Sequence, residues 1–358
     1  MAHKPYRASV LASVLAGLLT VTACGDSGAA KSEPAGDPGT PASTSSGSAS
    51  DPLSQLVTEA KAEGSLTLYT GLVEAAAAAQ ADAFTKKYGI KVNLVRLAGA
   101  QFETRVQAES AAGSINADIL VTANPLFIKN EVAKGDTVSL KAAALPEFPG
   151  EFPEKFIRDD LGSAIVSILP VGIIYNTDLV KPDEVPKTWA DLLDSRWKGK
   201  IGISDPKADL GYIAEYQTIE KKYSTFLQDF AKQGLKVYPA AAPSMEAVAS
   251  GEIALSPVQL ASNAAGVKAK GAHVAAIVPD YTTGLQFYVS VVAKAKHAAA
   301  ARLFALYMLS KDGADILATA GNSLSPFDNV SLPKDYQVLD YSTAQQDQAR
   351  VLGDLGLK

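Results

Sequence analysis

The alternation of apolar and polar residues after residue 64 predicts a regular order of strands and helices. Short runs rich in apolar and β-branched residues are typical of strands, whereas longer stretches with apolar residues at helical spacing predict helices. The predicted strands are residues 66–70, 90–95 and 118–122, and the predicted helices between them are residues 74–88 and 102–112. Gly89 stands where a glycine commonly ends a helix. This order favours an α/β fold with a parallel sheet covered by helices on both faces.

Three loops at the ends of these strands are rich in small residues and predict a ligand site. In an α/β sheet, ligands bind at the carboxyl ends of the strands. The first two loops open helices, whose unpaired N–H groups and positive dipole end favour an anion such as a carboxylate or phosphonate. The same residue types are also ordinary components of turns between a strand and a helix. The residues expected at this site are Thr70, Gly71, Leu72, Gly99, Ala100, Thr122 and Asn124.

The first 23 residues have the pattern of a secretory signal peptide. A short basic segment with Lys4 and Arg7 precedes an apolar stretch at 8–21, which is too short to span a bilayer comfortably. The segment ends in Val-Thr-Ala-Cys, which resembles the lipobox of bacterial lipoproteins. We therefore expect Cys24, the only cysteine, to be the first residue of the mature chain and to carry diacylglycerol and palmitate. Residues 24–52 lack large apolar side chains, so we expect a flexible linker to this lipid anchor.

Composition and charge narrow the function classes. Hydrophobic residues make up 47% of the chain and charged residues 20%, as in globular proteins, which excludes a wholly disordered chain. The formal net charge of −5 disfavours nucleic-acid binding. The sequence lacks the G-x-S-x-G, H-E-x-x-H, P-loop and G-x-G-x-x-G motifs. We therefore expect a protein that is not an enzyme, with a cell-surface enzyme and a structural adhesin as alternatives.

Three motifs in the middle of the chain carry a family resemblance. They are IVSILPVGIIYNTDL at 165–179, PKTWADLLD at 186–194 and WKGKIGISDP at 197–206. Together they resemble the extracellular solute-binding proteins of ABC importers, in the group that includes binders of ferric iron, thiamine and 2-aminoethylphosphonate. The likeness runs from about residue 66 to residue 326.

The resemblance implies a two-lobed periplasmic-binding-protein fold of type II, with the ligand held in a cleft between the lobes. It places lobe 1 at 53–168 and 280–358 and lobe 2 at 169–279. It also implies two chain crossings, near 169–174 and 278–284. The cleft residues expected in the second half of the chain are Asp209, Leu210, Gly211, Tyr212, Gln259 and Tyr281.

The chemistry of the second lobe leaves alternatives open. Ferric binders of this family use adjacent tyrosines in a segment that here carries Gln259 and other neutral polar residues, which suit an organic molecule. Asp209 either caps a helix or receives an amino group of the ligand. A capping aspartate would weaken anion binding at that helix unless Lys207 or Arg96 offsets its charge.

We therefore predict a solute-binding lipoprotein of an ABC transporter, anchored on the outer face of the cell membrane. Its solute is expected to be a small organic anion or zwitterion, a carboxylate or phosphonate, which it delivers to the permease and ATPase subunits. A ferric-iron-binding protein of an ABC importer is the first alternative. We expect a monomer with no cofactor, no resident metal ion and no nucleic-acid partner.

Overall fold

The computed structural model describes residues 51–97, 99–328 and 331–357. The predicted signal peptide at 1–23, the predicted lipidation residue Cys24 and the linker up to residue 50 lie outside the described residues. Within the part that is described, no helix combines the length and the apolar character needed to cross a membrane.

Helices and strands alternate over most of the described chain. The α-helices are α1 (Pro52–Glu63), α2 (Glu74–Tyr88), α3 (Ala100–Ala111), α4 (Pro125–Lys134), α5 (Leu210–Lys222), α6 (Phe226–Ala231), α7 (Ala241–Ser250), α8 (Ser262–Lys268), α9 (Ala298–Met308), α10 (Lys311–Gly321) and α11 (Ala344–Asp354). The strands are β1 (Ser65–Thr70), β2 (Lys91–Arg96), β3 (Ile119–Thr122), β4 (Thr137–Val138), β5 (Ile157–Arg158), β6 (Ser163–Asn176), β7 (Gly202–Ser204), β8 (Lys236–Tyr238), β9 (Leu255–Leu260), β10 (Val274–Ile277), β11 (Tyr281–Thr282), β12 (Gly284–Val292) and β13 (Asp335–Tyr336).

The N-terminal elements agree closely with the sequence prediction. α2 covers the predicted residues 74–88, and Gly89 follows it with a left-handed φ of 74°. The Gly89 N–H donates to the Thr85 carbonyl and so closes the last turn. The predicted strands β1, β2 and β3 are present, and α3 begins earlier than predicted, at Ala100. The predicted α/β class is confirmed.

The sheet of the first half of the chain is mixed rather than wholly parallel. β1 lies between β2 and β3 and pairs in parallel with both. β12 then pairs antiparallel with β3 on one side and with β6 on the other. The predicted parallel arrangement is therefore correct for β1, β2 and β3 only. The later strand β12 joins the same sheet in the opposite direction, which the local pattern of the first strands did not indicate.

The long strand β6 belongs to this first sheet and also to a second one, which contains β9 and β10. It has 14 residues and is buried along nearly its whole length. Its first half pairs with β12, whereas its second half pairs with β9 and β10. One continuous strand therefore connects two hydrogen-bonded sheets.

Two main apolar cores lie on either side of this shared strand. The first core packs α1, α2 and α9 against β1, β3 and β12, and it contains an edge-to-face pair of Phe84 and Phe304 with ring centroids 4.9 Å apart. The second core contains Trp189 and a stacked pair of Phe226 and Phe230. Since each core is closed by its own helices, the described body has two lobes.

The chain passes between the lobes three times, not twice as the resemblance implies. The first two passages are β6 and the segment from β10 to β12. The third follows α10, where Phe327 packs edge-to-face on Phe152 of the first core. β13 then pairs with β11, and Leu339 enters the second core.

The C-terminal helix packs with the second lobe. α11 lies against α5 and α6 and contributes Ala344 and Val351 to the second core, followed by Leu355. The expected division assigned all of 280–358 to lobe 1. Residues after about 338 pack elsewhere because the apolar face of α11 is complementary to α5, a contact that sequence order does not reveal.

Two glycines allow the passages between the lobes to approach closely. A Cβ on Gly284 would lie 2.5 Å from the Leu169 carbonyl oxygen and 2.9 Å from the Pro170 Cα. A Cβ on Gly172 would overlap the carbonyl oxygen of Ile277. Glycine is needed at both positions because backbone meets backbone there.

We expect Gly284→Ala to lower the free energy of unfolding by about 1 to 3 kcal/mol, because the added methyl group meets backbone that cannot rotate away. Gly353→Ala is the control, since a Cβ on Gly353 in α11 meets no atom within 4 Å. Alanine there should stabilise the helix by roughly 0.5 to 1 kcal/mol. Denaturant unfolding followed by circular dichroism measures both variants. Wild-type stability of Gly284→Ala would contradict the close approach.

Candidate functional site

The predicted loops of the first lobe lie side by side at one edge of its sheet. β1 is the central strand of the three, so the carboxyl ends of β1, β2 and β3 meet. The Gly71 N–H donates to the Val121 carbonyl at 2.8 Å, and the Leu97 N–H donates to the Thr70 carbonyl at 2.9 Å. The loops brought together are 70–72, 99–100 and 122–124.

The polar side chains of these loops form hydrogen bonds within the loops and so stabilise the loop conformations. The Thr70 hydroxyl accepts from the Leu72 N–H at 3.1 Å, and the Thr122 hydroxyl accepts from the Asn124 N–H at 3.5 Å. The Asn124 amide oxygen accepts from the first N–H groups of α4, and its amide nitrogen donates to Glu103 Oε1 at 2.7 Å. Thr70, Thr122 and Asn124 therefore shape this edge, and the Leu72 side chain is buried beneath it.

Backbone N–H groups are the anion-binding groups that this edge offers. α2 and α3 begin after Val73 and Gly99, and neither helix has a side-chain cap. Gly99 and Ala100 are exposed, and a Cβ on Gly99 would meet no atom within 4 Å. The first N–H groups of an uncapped helix, together with its dipole, attract negative charge.

Arg96 adds a full positive charge to the same edge. Its Nε donates to the Leu72 carbonyl at 2.8 Å, which holds the guanidinium next to the start of α2. Two apolar side chains, Val73 at 48% and Leu126 at 40% exposure, stand at the starts of α2 and α4. An anion with a short apolar portion suits this combination.

In the second lobe, Asp209 caps α5. Its Oδ1 accepts from the Gly211 N–H at 2.6 Å, so the capping role is the one that the structure shows. Leu210 and Tyr212 are half-buried and pack against the second core. The cap places a negative charge at the helix start that would otherwise attract an anion.

Tyr212 and Gln259 meet at Ser204, a residue that the sequence prediction missed. Gln259 Nε2 donates to Ser204 Oγ at 2.9 Å, and burial raises the pKa of Tyr212 while the nearby Ser204 side chain opposes that rise. Ser204 ends β7, and Gln259 lies near the end of β9. The one sequence signal for Ser204 was its place near the end of the WKGKIGISDP motif.

Tyr281 is engaged in the packing of the second lobe. Its hydroxyl donates to the Thr218 carbonyl at 2.8 Å, and its own carbonyl accepts from Trp189 Nε1 at 2.7 Å. Lys222 Nζ lies 4.5 Å from the centroid of its ring. The structure therefore does not bring Tyr281 into the hydrogen-bond network around Ser204.

A buried polar cluster between the lobes was not predicted from the sequence. Gln286 Nε2 donates to the Tyr336 hydroxyl at 2.7 Å, and the Tyr288 hydroxyl donates to Gln286 Oε1 at 2.7 Å. Burial raises the pKa of Tyr341 well above its usual value, and the nearby negative charge of Glu215 adds to this rise. Burial also raises the pKa of Tyr336, again with a contribution from Glu215. These five residues form what we call the interlobe cluster.

Glu215 is the acidic member of the interlobe cluster. It is 7% exposed, and burial raises the pKa of its carboxyl group well above the usual range, with a further contribution from Asp209. Among the described residues, its carboxyl group has no hydrogen-bond or ion-pair partner. α5 and its cap residue Asp209 therefore bring two acidic groups to the junction of the lobes.

Arg158 lies on the first-lobe side of the cluster. Its Nε and Nη2 donate to Asp160 at 2.9 and 2.8 Å, while its Nη1 is buried with no hydrogen-bond partner in the described part of the chain. Burial raises the pKa of Tyr288, and the positive charge of Arg158 opposes this rise. Arg158 thus keeps one N–H group without a partner among the described residues on the first-lobe side, whereas the acids Asp209 and Glu215 lie on the second-lobe side.

A family model of bacterial extracellular solute-binding proteins matches residues 114–345, more than half of the chain. The chain belongs to this family. An uncharacterized protein from Haemophilus influenzae is 27% identical over 283 residues, which are 76% of this chain and 80% of that protein. A putative 2-aminoethylphosphonate-binding periplasmic protein from Salmonella paratyphi A is 34% identical over 127 residues, which are 36% of this chain and 34% of that protein.

Solved structures share the fold of this solute-binding protein at low sequence identity. The substrate-binding protein of an ABC transporter from Agrobacterium tumefaciens matches with a TM-score of 0.64 and 17% identity, over 83% of this chain and 96% of that one. Iron-bound HitA from Pseudomonas aeruginosa matches with a TM-score of 0.62 and 20% identity, over 82% and 99% of the two chains. The predicted two-lobed periplasmic-binding-protein fold is confirmed.

We expect Asn124→Asp to destabilise the solute-binding protein by about 1 kcal/mol, because the cap acceptor is kept while a carboxylate replaces the amide donor opposite Glu103. Adding Glu103→Gln restores a donor and acceptor pair with reversed polarity, so the double variant should recover most of the loss. A double-mutant cycle of unfolding free energies measures the coupling. Additive effects of the two changes would show that Asn124 and Glu103 do not support each other.

Proposed function

We propose that this solute-binding protein captures a small organic anion or zwitterion, a carboxylate or phosphonate, between its two lobes. The observation that carries the proposal is a difference between the lobes: the first offers a guanidinium group and helix starts without side-chain caps beside its first-turn acids Glu74 and Glu103, and the second offers two carboxyl groups. Arg96 and the uncapped starts of α2 and α3 belong to the first lobe, whereas Asp209 and Glu215 belong to the second. A solute with one anionic end and one donor-bearing end complements both walls.

The likeness to the Salmonella protein supports this class of solute. That relative is named for 2-aminoethylphosphonate, which carries a phosphonate at one end and an ammonium at the other. The likeness covers about a third of each chain, so it supports the class rather than the individual compound. The polar groups of this chain accommodate such a solute without a metal ion.

Ferric iron is the alternative solute. HitA, a structural neighbour, is iron-bound, and Fe(III) favours phenolate and carboxylate ligands. In this chain, the segment that carries adjacent tyrosines in the ferric binders of the family carries Gln259, and the hydroxyls of Tyr336 and Tyr288 are engaged by Gln286. The described residues also contain no group of three or more His, Cys, Asp or Glu side chains that could hold a metal ion. These properties favour the organic solute over iron.

The lobe division that fits this function differs from the sequence-based one at the C-terminus. We assign residues 53–168 and 280 to about 338 to lobe 1. Residues 169–279 and 339–357 form lobe 2, because α11 packs on α5. Closure of the two lobes on the solute would bring Arg96 and Glu215 toward the same ligand.

We further propose that the protein delivers its solute to the permease and ATPase of an ABC importer. A structural neighbour is the substrate-binding protein of an ABC transporter, and closure gives the permease a way to distinguish loaded from empty protein. The lipobox-like Val-Thr-Ala-Cys supports attachment through Cys24 to the outer face of the cell membrane, where we propose that the protein acts as a monomer. Delivery of an unchanged solute also separates this role from that of a cell-surface enzyme.

We expect the bound solute to reduce the radius of gyration, measured by small-angle scattering, because binding energy favours the closed form. The solute is first selected by thermal shift from carboxylates, phosphonates, aminophosphonates, thiamine and ferric citrate. A Cβ on Gly71 would lie 3.5 Å from Phe287 Cε1 and 3.6 Å from the Leu97 carbonyl oxygen, so Gly71→Trp crowds the loops beside α2, and we expect its melting to stay cooperative. This variant should lose binding at least tenfold, about 1.4 kcal/mol, and lose compaction. Gly353→Trp in the exposed last helix is the matched control and should retain both.

Unchanged dimensions on binding, or wild-type affinity of Gly71→Trp, would mean that the loops of the first lobe do not line the cleft. Binding of ferric citrate with phenolate charge-transfer colour at one iron per chain would favour the alternative solute. Mass spectrometry of the solute after prolonged incubation addresses the enzyme alternative, since a binding protein returns its ligand unchanged.

We expect Cys24→Ser to move the protein from the membrane fraction to the soluble fraction in a bacterium that processes lipoproteins. The substitution removes the thiol to which the lipid is attached, while the folded body from residue 51 onward is unaltered. Fractionation with immunoblotting measures the distribution, and Ser27→Ala in the linker is the control. Equal membrane retention of Cys24→Ser and wild type would overturn the lipid anchor.

A further inference from the structure

We propose that Glu215 determines specificity by receiving an ammonium group of the solute, so that the solute is a zwitterionic amine rather than a simple anion. This inference rests on the proposed function and goes beyond it in naming one residue and one chemical group. The amine-bearing classes that fit are aminocarboxylates and aminophosphonates with separated charges.

The first observation is that Glu215 is buried without compensation. It is 7% exposed, and the described residues supply no hydrogen bond or ion pair to its carboxyl group. A carboxylate in such a buried position is costly to ionise without a partner, and native proteins normally pair such groups or leave them exposed. A cationic ligand would supply the partner that Glu215 lacks among the described residues.

The second observation is the position of Glu215 between the lobes. Glu215 lies four residues after Gly211 on α5, so the two residues share one face of the helix. The Tyr336 hydroxyl accepts from Gln286 on β12 of the first lobe, and the charge of Glu215 contributes to the raised pKa of both Tyr336 and Tyr341. The Tyr341 hydroxyl lies 3.5 Å from the position of a Cβ on Gly211, in the first turn of α5. Glu215 therefore faces the junction of the lobes, where a solute held between them would lie.

The surroundings of Glu215 favour a cation over any other ligand group. The titratable groups around Glu215 are the helix cap Asp209, Tyr212 and Tyr216 on its own helix, Tyr336 and Tyr341 from the segment after β12, and Tyr288 and Arg158 on the first-lobe side of the cluster. Asp209 is acidic, Arg158 is paired with Asp160, and the others are neutral hydroxyls. An anionic ligand group would be repelled by the two carboxyl groups, whereas an ammonium would donate to Glu215 and to hydroxyl oxygens around it.

The anionic end of such a solute has its own counterpart in the first lobe. Arg96 is held at the start of α2, and α2 and α3 are uncapped. In the second lobe, by contrast, the start of α5 is capped by the carboxylate of Asp209. Because Arg96 and the uncapped helix starts favour the anionic end while Glu215 favours the ammonium, the solute should bind in one orientation.

The test compares matched ligands with and without an amine, on the full chain, by isothermal titration calorimetry. The pairs are 2-aminoethylphosphonate with ethylphosphonate and 4-aminobutyrate with butyrate. We expect the wild type to bind an amine-bearing member at least tenfold more tightly than its amine-free partner. Glu215→Gln should weaken binding of that member at least tenfold and leave the affinity for its partner nearly unchanged.

Glu220→Gln is the matched control. It removes the same charge from the same helix, but Glu220 pairs with Arg350 at 3.0 Å away from the interlobe cluster. Both members of each ligand pair should bind this variant as they bind the wild type.

A second readout separates a binding role from a structural one. Burial raises the pKa of the Glu215 carboxyl group above the value that the same group has in the unfolded chain. Glu215 therefore lowers the stability of the empty protein at every pH above that unfolded-state pKa. Glu215→Gln should therefore raise the melting temperature of the empty protein at pH 7 to 8. The gain should shrink as the pH falls and vanish below about pH 4, where the glutamate is protonated in both states. A structural carboxylate would instead lower the melting temperature when replaced.

The outcomes distinguish this inference from the proposed function. If the wild type binds amine-free members as tightly as their amine-bearing partners, the inference is overturned while the proposed function stands. The same holds if Glu215→Gln keeps the wild-type discrimination. If the chain binds ferric citrate and no organic member, both are overturned. The comparison of ligand pairs on the wild type does not depend on whether the variant folds.

Discussion

The hydrogen-bond ladder of β6 is the constraint on which the rest of the structure depends. One strand pairs with β12 in the first sheet and with β9 and β10 in the second, so both lobes are built on the same backbone. Backbone N–H and C=O groups buried in this way must be paired, which ties the lobes together at that strand. The close backbone approach at Gly172 and Gly284 follows from the same requirement. Relative motion of the lobes must therefore bend or twist about these passages rather than separate them.

The junction built around β6 is polar, which distinguishes it from the two apolar cores. Gln286 satisfies Tyr288 and Tyr336 in one hydrogen-bonded chain, whereas Glu215 has no partner among the described residues. A satisfied buried network stabilises one arrangement, and an unsatisfied acid destabilises it. The combination suits a binding protein, because the empty state keeps an uncompensated group that a ligand can neutralise. Stability in the empty state and affinity for the solute are thus opposed at the same residue.

The charged groups of the two lobes are a better guide to the solute than the fold is. The same two-lobed fold occurs in iron-bound HitA and in a substrate-binding protein of an ABC transporter, so the fold does not choose among solutes. In the proposed function, the choice depends on individual side chains at strand and helix ends, such as Arg96 in the first lobe and Asp209 in the second. Helix capping decides much of this, since α5 is capped by an acid and α2 and α3 are not.

Local periodicity determined α2 with its Gly89 ending, the three parallel strands and the loops at their carboxyl ends, because these depend on residues close together in the sequence. The motifs around 165–206 indicated the family. The tertiary structure alone decided which side chains are free at the site, since Thr70 and Asn124 are used within their loops. It also decided the antiparallel place of β12, the third passage between the lobes, the contact of Gln259 with Ser204, and the interlobe cluster. Gln286 and Tyr336 are 50 residues apart, and no sequence period brings such residues together; packing of two lobes around a shared strand does.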